Sequence, residues 1–406
     1  MILLKKLNEC IKPKPYQEKI NYQIMKTNIS RLSIFLITII FATACAQLSR
    51  KDSSNPDNNS APTNPKNIIL MIGDGMGTSQ VYATLTAKHG KLEMARCRHI
   101  GFVKTDAADD YITDSAAGAT AFATGSKTNN GVIAMDPYGD TLNTILEYAE
   151  YSGLGTGLVA TSKITHATPA GFIAHNESRD NYEEIAEDFL LTDVDVILGG
   201  GLNNFNHRND GQDLLDKLRL KNYQLVFDTA EMSGIDQGKI FGLLWEDHPP
   251  KWTEGRDNFL EKASLKAIEL LLAHEKGFFL LVEGSQIDWG GHDNDSEYLV
   301  SESVDFDNVV GKVLDFAEEN GETLVIITAD HETGGYSING GDIASGEVVG
   351  AFTTDEHSST MVPLFAFGPG AENFTGIIDN TEIYYKMMNL LSLKEDLGKE
   401  LEPETN

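Results

Sequence analysis

Apolar residues in this chain gather in short runs separated by longer stretches of helical period. The runs are NIILMI (67–72), IGFVKT (100–105), GLVATS (157–162), VDVILG (194–199), FFLLVE (278–283), TLVIIT (323–328) and VPLFAF (362–367). Short, nearly unbroken apolar runs of this kind predict strands buried on both faces. Helical patterns occupy 115–124, 141–151, 182–191, 212–219, 256–275, 296–319 and 380–391. The alternation predicts an α/β fold with a largely parallel sheet covered on both sides. No internal repeat and no second apolar core interrupts 67–392, so one domain is expected there. Residues 221–255 break the period and carry Trp245 and Trp252, as an excursion near a site entrance or a packed loop. Residues 336–356 read as a Gly-rich hairpin or short cap.

The N-terminal pattern is different. LSIFLITIIFATACA follows Lys26 and Arg31 and ends in small residues, as an export signal does. It is short for a membrane span. Ala42-Thr43-Ala44-Cys45 resembles a lipobox, with Cys45 as the lipidated first residue. Cleavage after Ala44-Cys45-Ala46 is the alternative. Residues 1–46 are therefore expected to be a signal or lipoprotein segment, with Met25 as a candidate true start. The mature protein is expected to be exported, either periplasmic or anchored to the outer membrane. Residues 47–66, rich in Asn, Ser, Asp and Pro, read as a flexible tether, and 393–406 as a polar tail.

Charge narrows the function. The 406 residues carry a formal net charge of −29, which argues against nucleic-acid binding. The same charge repels an anionic substrate unless metal ions reverse the sign locally. Of three cysteines, Cys10 and Cys45 fall in or beside the signal, leaving Cys97 for the domain. An intrachain disulfide is not expected, and Cys97 reads as a small buried hydrophobe.

The candidate chemistry lies just past the ends of the predicted strands, where open α/β sheets build their sites. LVEGSQIDWGGHDND, TADHETGG and DEHSST place Glu283, Asp288, His292, Asp330, His331 and His357 as oxygen and imidazole donors, with no cysteine among them. Such donors suit Zn²⁺ and Mg²⁺. IGDGMG puts Asp74 directly after the first strand, although a tight turn also explains that motif. TDSAAGATA sets Ser115 at the start of a helix of small residues, where amides attract anions and where Ser115 could also be a plain cap. ITHATPAGFIAHNESR holds His166, Thr168, His175 and Arg179. Arginine grips phosphate oxygens in a planar fork, and His175 reads as structural. His89, His99, His207, His248 and His274 lack ligand-like neighbours and are expected at the surface or in packing.

These motifs, with LGGG at 198–201 and the His357 segment running into VPLFAFGPG, resemble the bacterial alkaline phosphatases in order and spacing. The resemblance runs from Asn67 to about Leu390. It implies a three-layer α/β/α sandwich, a homodimer, two zinc ions, one magnesium ion and monoester hydrolysis through a phosphoserine. By resemblance, Asp288, His292 and His357 hold the first zinc, and Asp74, Asp330 and His331 the second. Asp74 also bridges to magnesium with Thr168 and Glu283, Ser115 is the nucleophile and Arg179 the phosphate clamp. Some members carry Asp at the position of His166 and Lys at that of Trp289. His and Trp here place both in a substrate-contact shell and imply weaker magnesium retention. Two rivals stand beside this reading. One is a phosphodiesterase of the same superfamily; the other is a surface protein that captures metal or phosphate without catalysis.

Overall fold

The computed structural model describes residues 64–395. The signal segment, most of the tether, Cys45 and the last eleven residues lie outside the described residues. Among the described residues no helix is long and apolar enough to cross a membrane.

The strands are β1 (Asn67–Gly73), β2 (His99–Lys104), β3 (Gly155–Lys163), β4 (Val196–Gly200), β5 (Gln224–Val226), β6 (Ile240–Leu243), β7 (Phe278–Gly284), β8 (Thr323–Thr328), β9 (Glu332–Thr333), β10 (Ser337–Asp342), β11 (Glu347–Ala351), β12 (His357–Ser358), β13 (Val362–Phe367) and β14 (Gly376–Asp379). Ten of them form one sheet in the order β14-β2-β13-β8-β1-β7-β3-β4-β6-β5. Every pair is parallel except those of β13, which runs against both β2 and β8. At the centre, β1, β7 and β8 are buried along their whole length. Both of their faces lie under helices, which is why their sequences are unbroken apolar runs rather than alternating ones.

The helices Thr78–Ala87, Phe259–Leu271 and Ser296–Asn320 pack together on one side, and Ser115–Thr124, Ile145–Tyr151 and Asn380–Leu390 on the other. The result is an α/β/α sandwich with a large, mostly parallel sheet. Residues 221–255 are partly sheet: β5 and β6 extend it at one edge. The expected hairpin is β10 and β11, paired antiparallel. Cys97 is buried with its thiol free, and burial pushes that thiol up to about 12.

Parallel strands all present their carboxyl ends on one edge. Asp74 follows β1, Ile164 to Thr168 follow β3, Glu283 closes β7, and Asp330 follows β8. That shared edge brings side chains more than 200 residues apart into one cluster.

Candidate active site and metal centre

The turn after β1 brings Asp74 into the cluster. Gly75 sits at φ 74°, and a Cβ there would lie 2.7 Å from the Asp288 Cα. Glycine lets the turn press onto the Asp288 backbone. Gly75 N donates to Asp330 Oδ1 at 3.2 Å, as does His331 N at 3.0 Å. Asp330 is thereby oriented by the two loops that flank it.

Ser115 opens the helix Ser115–Thr124, with Asp114 as its cap. Asp114 Oδ1 accepts from Ala117 N at 2.9 Å. Its other oxygen accepts from Gly131 N at 3.0 Å and from Arg179 Nη1 at 2.9 Å. One carboxylate therefore caps the helix that carries Ser115 and tethers Arg179 beside it. Ser115 is almost fully buried, and its Oγ lies 3.2 Å from His331 Nε2.

Three imidazoles point Nε2 inward, because their Nδ1 atoms are engaged elsewhere. His292 Nδ1 donates to Asp355 O at 2.6 Å and His357 Nδ1 to Thr113 O at 2.9 Å. His331 Nδ1 lies 3.2 Å from the Thr333 hydroxyl, which donates to Asp288 Oδ1 in a short bond. This is the outer support that orients imidazole ligands. The inward nitrogens converge. His292 Nε2 is 3.1 Å from His357 Nε2 and 3.4 Å from Asp288 Oδ1, and His357 Nε2 is 3.5 Å from the same oxygen. His331 Nε2 is 3.2 Å from Asp330 Oδ2 and 3.5 Å from Asp74 Oδ1.

Three donor groups result, each with its atoms within 4.8 Å of one another: Asp288, His331 and His357; Asp74, Asp330 and His331; and Asp74, His166 and Glu283. Asp74 and His331 each belong to two groups, so the three are contiguous. Both Asp74 oxygens, Glu283 Oε1, Thr168 Oγ1 and His166 Nδ1 are buried without a protein hydrogen-bond partner. Buried oxygens and nitrogens of this kind fit divalent cations, and the thiol-free donor set fits hard and borderline ions.

The electrostatics agree. Burial, then the charges of Asp330, Asp288 and Glu283, push Asp74 well above the ordinary carboxylate range. Burial lifts Glu283 to about 8. Burial, then Asp288, lifts Asp330 to about 6. Burial would also raise Asp288, but the His292 hydrogen bond and the imidazoles of His331 and His357 outweigh it and hold Asp288 below its usual range. The bond to Asp288 lifts His292 to about 9. Burial, with the Arg179 charge nearby, keeps His166 neutral. Carboxylates this close favour protons or cations over mutual ionisation.

A family model for alkaline phosphatase matches residues 65–351. The solved alkaline phosphatase from the Antarctic bacterium TAB5 is 41% identical with a TM-score of 0.77, over 82% of this chain and 99% of that one. Alkaline phosphatase 3 of Bacillus subtilis is 35% identical across 78% of this chain and 87% of its own length. The Escherichia coli alkaline phosphatase is 32% identical across 81% and 86%.

The chain belongs to the alkaline phosphatase family.

In this alkaline phosphatase all the residues singled out from sequence as ligands, nucleophile and clamp meet at the one sheet edge. His166 lies with Asp74 and Glu283, a ring nitrogen within 4.8 Å of their oxygens. His248 is a packing residue, as expected: its ring lies against Trp289 and His166 at centroid distances of 4.7 and 5.6 Å. Asp114 and Thr333 were not singled out. An Asp directly before a small-residue helix is a cap signal that could have marked the first; nothing local marks the second. His175 is structural, bonded to Ala134 O at 3.0 Å and near Glu147 at 3.3 Å.

Proposed function

We propose that this chain hydrolyses phosphate monoesters to an alcohol and inorganic phosphate through a phosphoserine on Ser115, with two zinc ions and one magnesium ion as cofactors. The observation that carries the reading is Ser115 Oγ standing 3.2 Å from His331 Nε2, inside the acid–imidazole cluster and on a helix whose cap also holds Arg179.

The chemistry demands such a site. Unaided monoester hydrolysis is among the slowest reactions known, and enzymes accelerate it by up to ~10²¹, roughly 29 kcal/mol of barrier. Acid–base catalysis contributes about 10²–10⁴, so charge stabilisation and positioning carry the rest. Asp288, His292 and His357 would hold the first zinc, with His331 beside them. Asp74, Asp330 and His331 would hold the second, and Asp74, Glu283, Thr168 and His166 the magnesium. When bound, divalent cations supply Lewis-acid stabilisation of phosphoryl oxygens and lower the pKa of a neighbouring hydroxyl.

The chain's own groups do the rest. Asp114 fixes Arg179, whose guanidinium grips non-bridging phosphoryl oxygens. As Ser115 Oγ bonds to phosphorus and the P–O ester bond breaks, the proton Ser115 gives up goes, in net balance, to the departing alcohol oxygen. Water then attacks phosphorus from the vacated side, the Ser115 Oγ–P bond breaks, a proton from the water restores the Ser115 hydroxyl, and phosphate leaves. Burial of Ser115 keeps bulk water from its oxygen. His357 and His292, anchored through Nδ1, turn Nε2 toward the site, where a bound cation would take the place of a proton.

Finer points follow from the same reading. The outer faces of β2 and β14 expose Ile100, Phe102 and Ile377, an apolar strip that supports a homodimer; sedimentation of an Ile100→Glu variant as monomer alone would bear this out. Lipidation at Cys45 predicts release from membranes by Cys45→Ser.

Hydrolysis of a nitrophenyl monoester with Zn²⁺ and Mg²⁺, compared with the bis-ester, tests the function. Ser115→Ala is expected to lose the phosphoserine while keeping its metal content. Undiminished turnover in that variant would remove Ser115 as nucleophile, and preference for the bis-ester would remove the monoester reading.

A further inference from the structure

The LGGG run at 198–201 and the histidine after Asp247 have no part in the steps above, and they meet at one place. A Cβ added to Gly200, the last residue of β4, would fall 2.3 Å from the Asp247 carbonyl oxygen and 3.0 Å from the Pro249 ring. A bare backbone is what lets residues 245–249 close onto the strand end. Gly201, at φ 98°, turns its N–H into the same loop and donates to Asp247 O at 2.9 Å and Trp245 O at 3.0 Å. Asn203 N donates to Glu246 O at 3.0 Å. The loop is also tied beyond His248. Gln286 Nε2 donates to Pro249 O at 2.8 Å. The buried Arg256 guanidinium, paired with Glu302 and Asp305, donates to Pro250 O at 3.2 Å.

The tied loop presents one ring to the site. Lys163 N donates to His248 Nδ1 at 3.1 Å, which places the ring proton on Nε2 and pins the imidazole. His248 meets Trp289 edge to face, with centroids 4.7 Å apart and planes at 84°. It meets His166 in the same manner at 5.6 Å and 81°, and His166 meets Trp289 at 6.0 Å and 81°. Perpendicular aromatic contacts of this kind are directional. His166 needs such bracing. Its Nδ1 has no protein partner, and its Nε2 has only a long 3.4 Å contact with Arg179 Nη2. Hydrogen bonds do not set its rotamer, so packing must. The rotamer matters because one ring nitrogen has to lie with the oxygens of Asp74 and Glu283.

We propose that His248 is a positioning residue: with Trp289 it holds His166 in the rotamer that completes the third donor group, and so sets that group's cation affinity. The affinity part rests on the reading of Asp74, His166 and Glu283 as a cation site; the orientation part does not.

Two substitutions separate the ring from its tether. His248→Phe keeps an edge-to-face ring and loses the acceptor for Lys163 N. His248→Asn keeps an acceptor near the Nδ1 position and loses the ring. The zinc-loaded enzyme is titrated with Mg²⁺ by calorimetry, and the His166 imidazole is followed by NMR in histidine-labelled protein, assigned with His166→Asn. Thermal melting controls for general damage. We expect His248→Asn to bind Mg²⁺ roughly 10-fold more weakly and to shift the His166 resonances, as loss of an orienting partner does elsewhere. His248→Phe should stay within about threefold of the parent, given that ring packing rather than the tether orients His166. Gly200→Ala, whose added Cβ meets the Asp247 carbonyl and Pro249 and not the rings of His166, His248 or Trp289, should displace the loop and shift the His166 resonances in the direction seen for His248→Asn. Parent-like Mg²⁺ affinity and unmoved His166 resonances in His248→Asn would overturn the proposal. Failure of the parent itself to bind Mg²⁺ would defeat the cation reading, and the His166 resonances would still decide the positioning role by the same criterion.

Discussion

Stripping the metals should leave a protein whose stability falls as pH rises above neutrality, because the ligand cluster must then carry charge it cannot share. The sign follows from proton counts. Above about pH 7 an unfolded chain has already lost its Glu protons, near 4.3, and most of its His protons, near 6.5. The folded, metal-free chain has not: burial holds Glu283 to about 8, and the bond to Asp288 holds His292 to about 9. The folded state therefore binds more protons, and its advantage is lost as pH passes through those values. Asp74, raised well above its ordinary range, adds in the same direction. Asp288, held below its usual range, has no effect in this window. His292 keeps about a third of its side chain exposed, so its share is discounted for solvent screening. Between pH 7 and 9.5 Glu283 and His292 together give a loss on the order of 3 kcal/mol. That corresponds to a fall of roughly 4 °C in melting temperature. Differential scanning calorimetry of chelated and metal-loaded enzyme across that range measures it. The loaded protein, whose carboxylates face cations instead of protons, should stay much flatter. Glu283→Gln, which cannot titrate, should remove about 1 kcal/mol of the drop in the chelated protein. A chelated curve that is flat or rising over the same range, or a Glu283→Gln curve that falls as steeply as the parent, would refute the reasoning.

Other outcomes follow from particular contacts. Asp114→Asn keeps an acceptor for the helix cap but gives up the charge that tethers Arg179; inhibition by inorganic phosphate should weaken roughly 10-fold, about 1.4 kcal/mol, with melting nearly unchanged. Arg256→Met leaves Glu302 and Asp305 buried without their partner and should cost about 3–5 kcal/mol in urea unfolding, much of it recovered when Glu302→Gln and Asp305→Asn are added. His166→Asp replaces nitrogen by oxygen beside Asp74 and Glu283 and should tighten Mg²⁺ about 10-fold by calorimetry; equal affinity for both would defeat that assignment.

The central sheet was legible because a strand covered on both faces tolerates almost nothing but apolar residues, and β1, β7 and β8 show that composition without interruption. The helix Thr78–Ala87 was not, since its buried face includes Gln80, Thr84 and Thr86. The two threonines satisfy their hydroxyls on the carbonyls of Gln80 and Tyr82, four residues back, so burial there leaves no apolar period to read. Strands β5 and β6 are three and four residues long, and β5 lies at the sheet edge with Val226 alone fully buried. At the site, donors placed just past strand ends announced themselves by residue type. Asp114 and His248 did not, because their work depends on partners 65 and 85 residues away: the Arg179 guanidinium for one and the Lys163 backbone for the other. A tether between distant segments leaves no spacing rule in the chain.

The cluster also explains how an acidic protein can take an anionic substrate. Four carboxylates, Asp74, Glu283, Asp288 and Asp330, are buried within a few residues' breadth of Ser115. The cationic side chain beside them, Arg179, is already matched by Asp114 at 2.9 Å. The protein atoms alone thus present a phosphate dianion with repulsion once the protons leave. If each of the three donor groups held a divalent cation, as proposed, the cations would carry more positive charge than the four carboxylates carry negative, and their occupancy would reverse the sign of the cavity. Phosphate affinity and metal affinity are then linked, and each must strengthen the other by the same factor. The fold's contribution is to hold donors whose Nδ1 atoms and backbone neighbours are already engaged, so that the atoms facing the cavity have little left to bind except a cation.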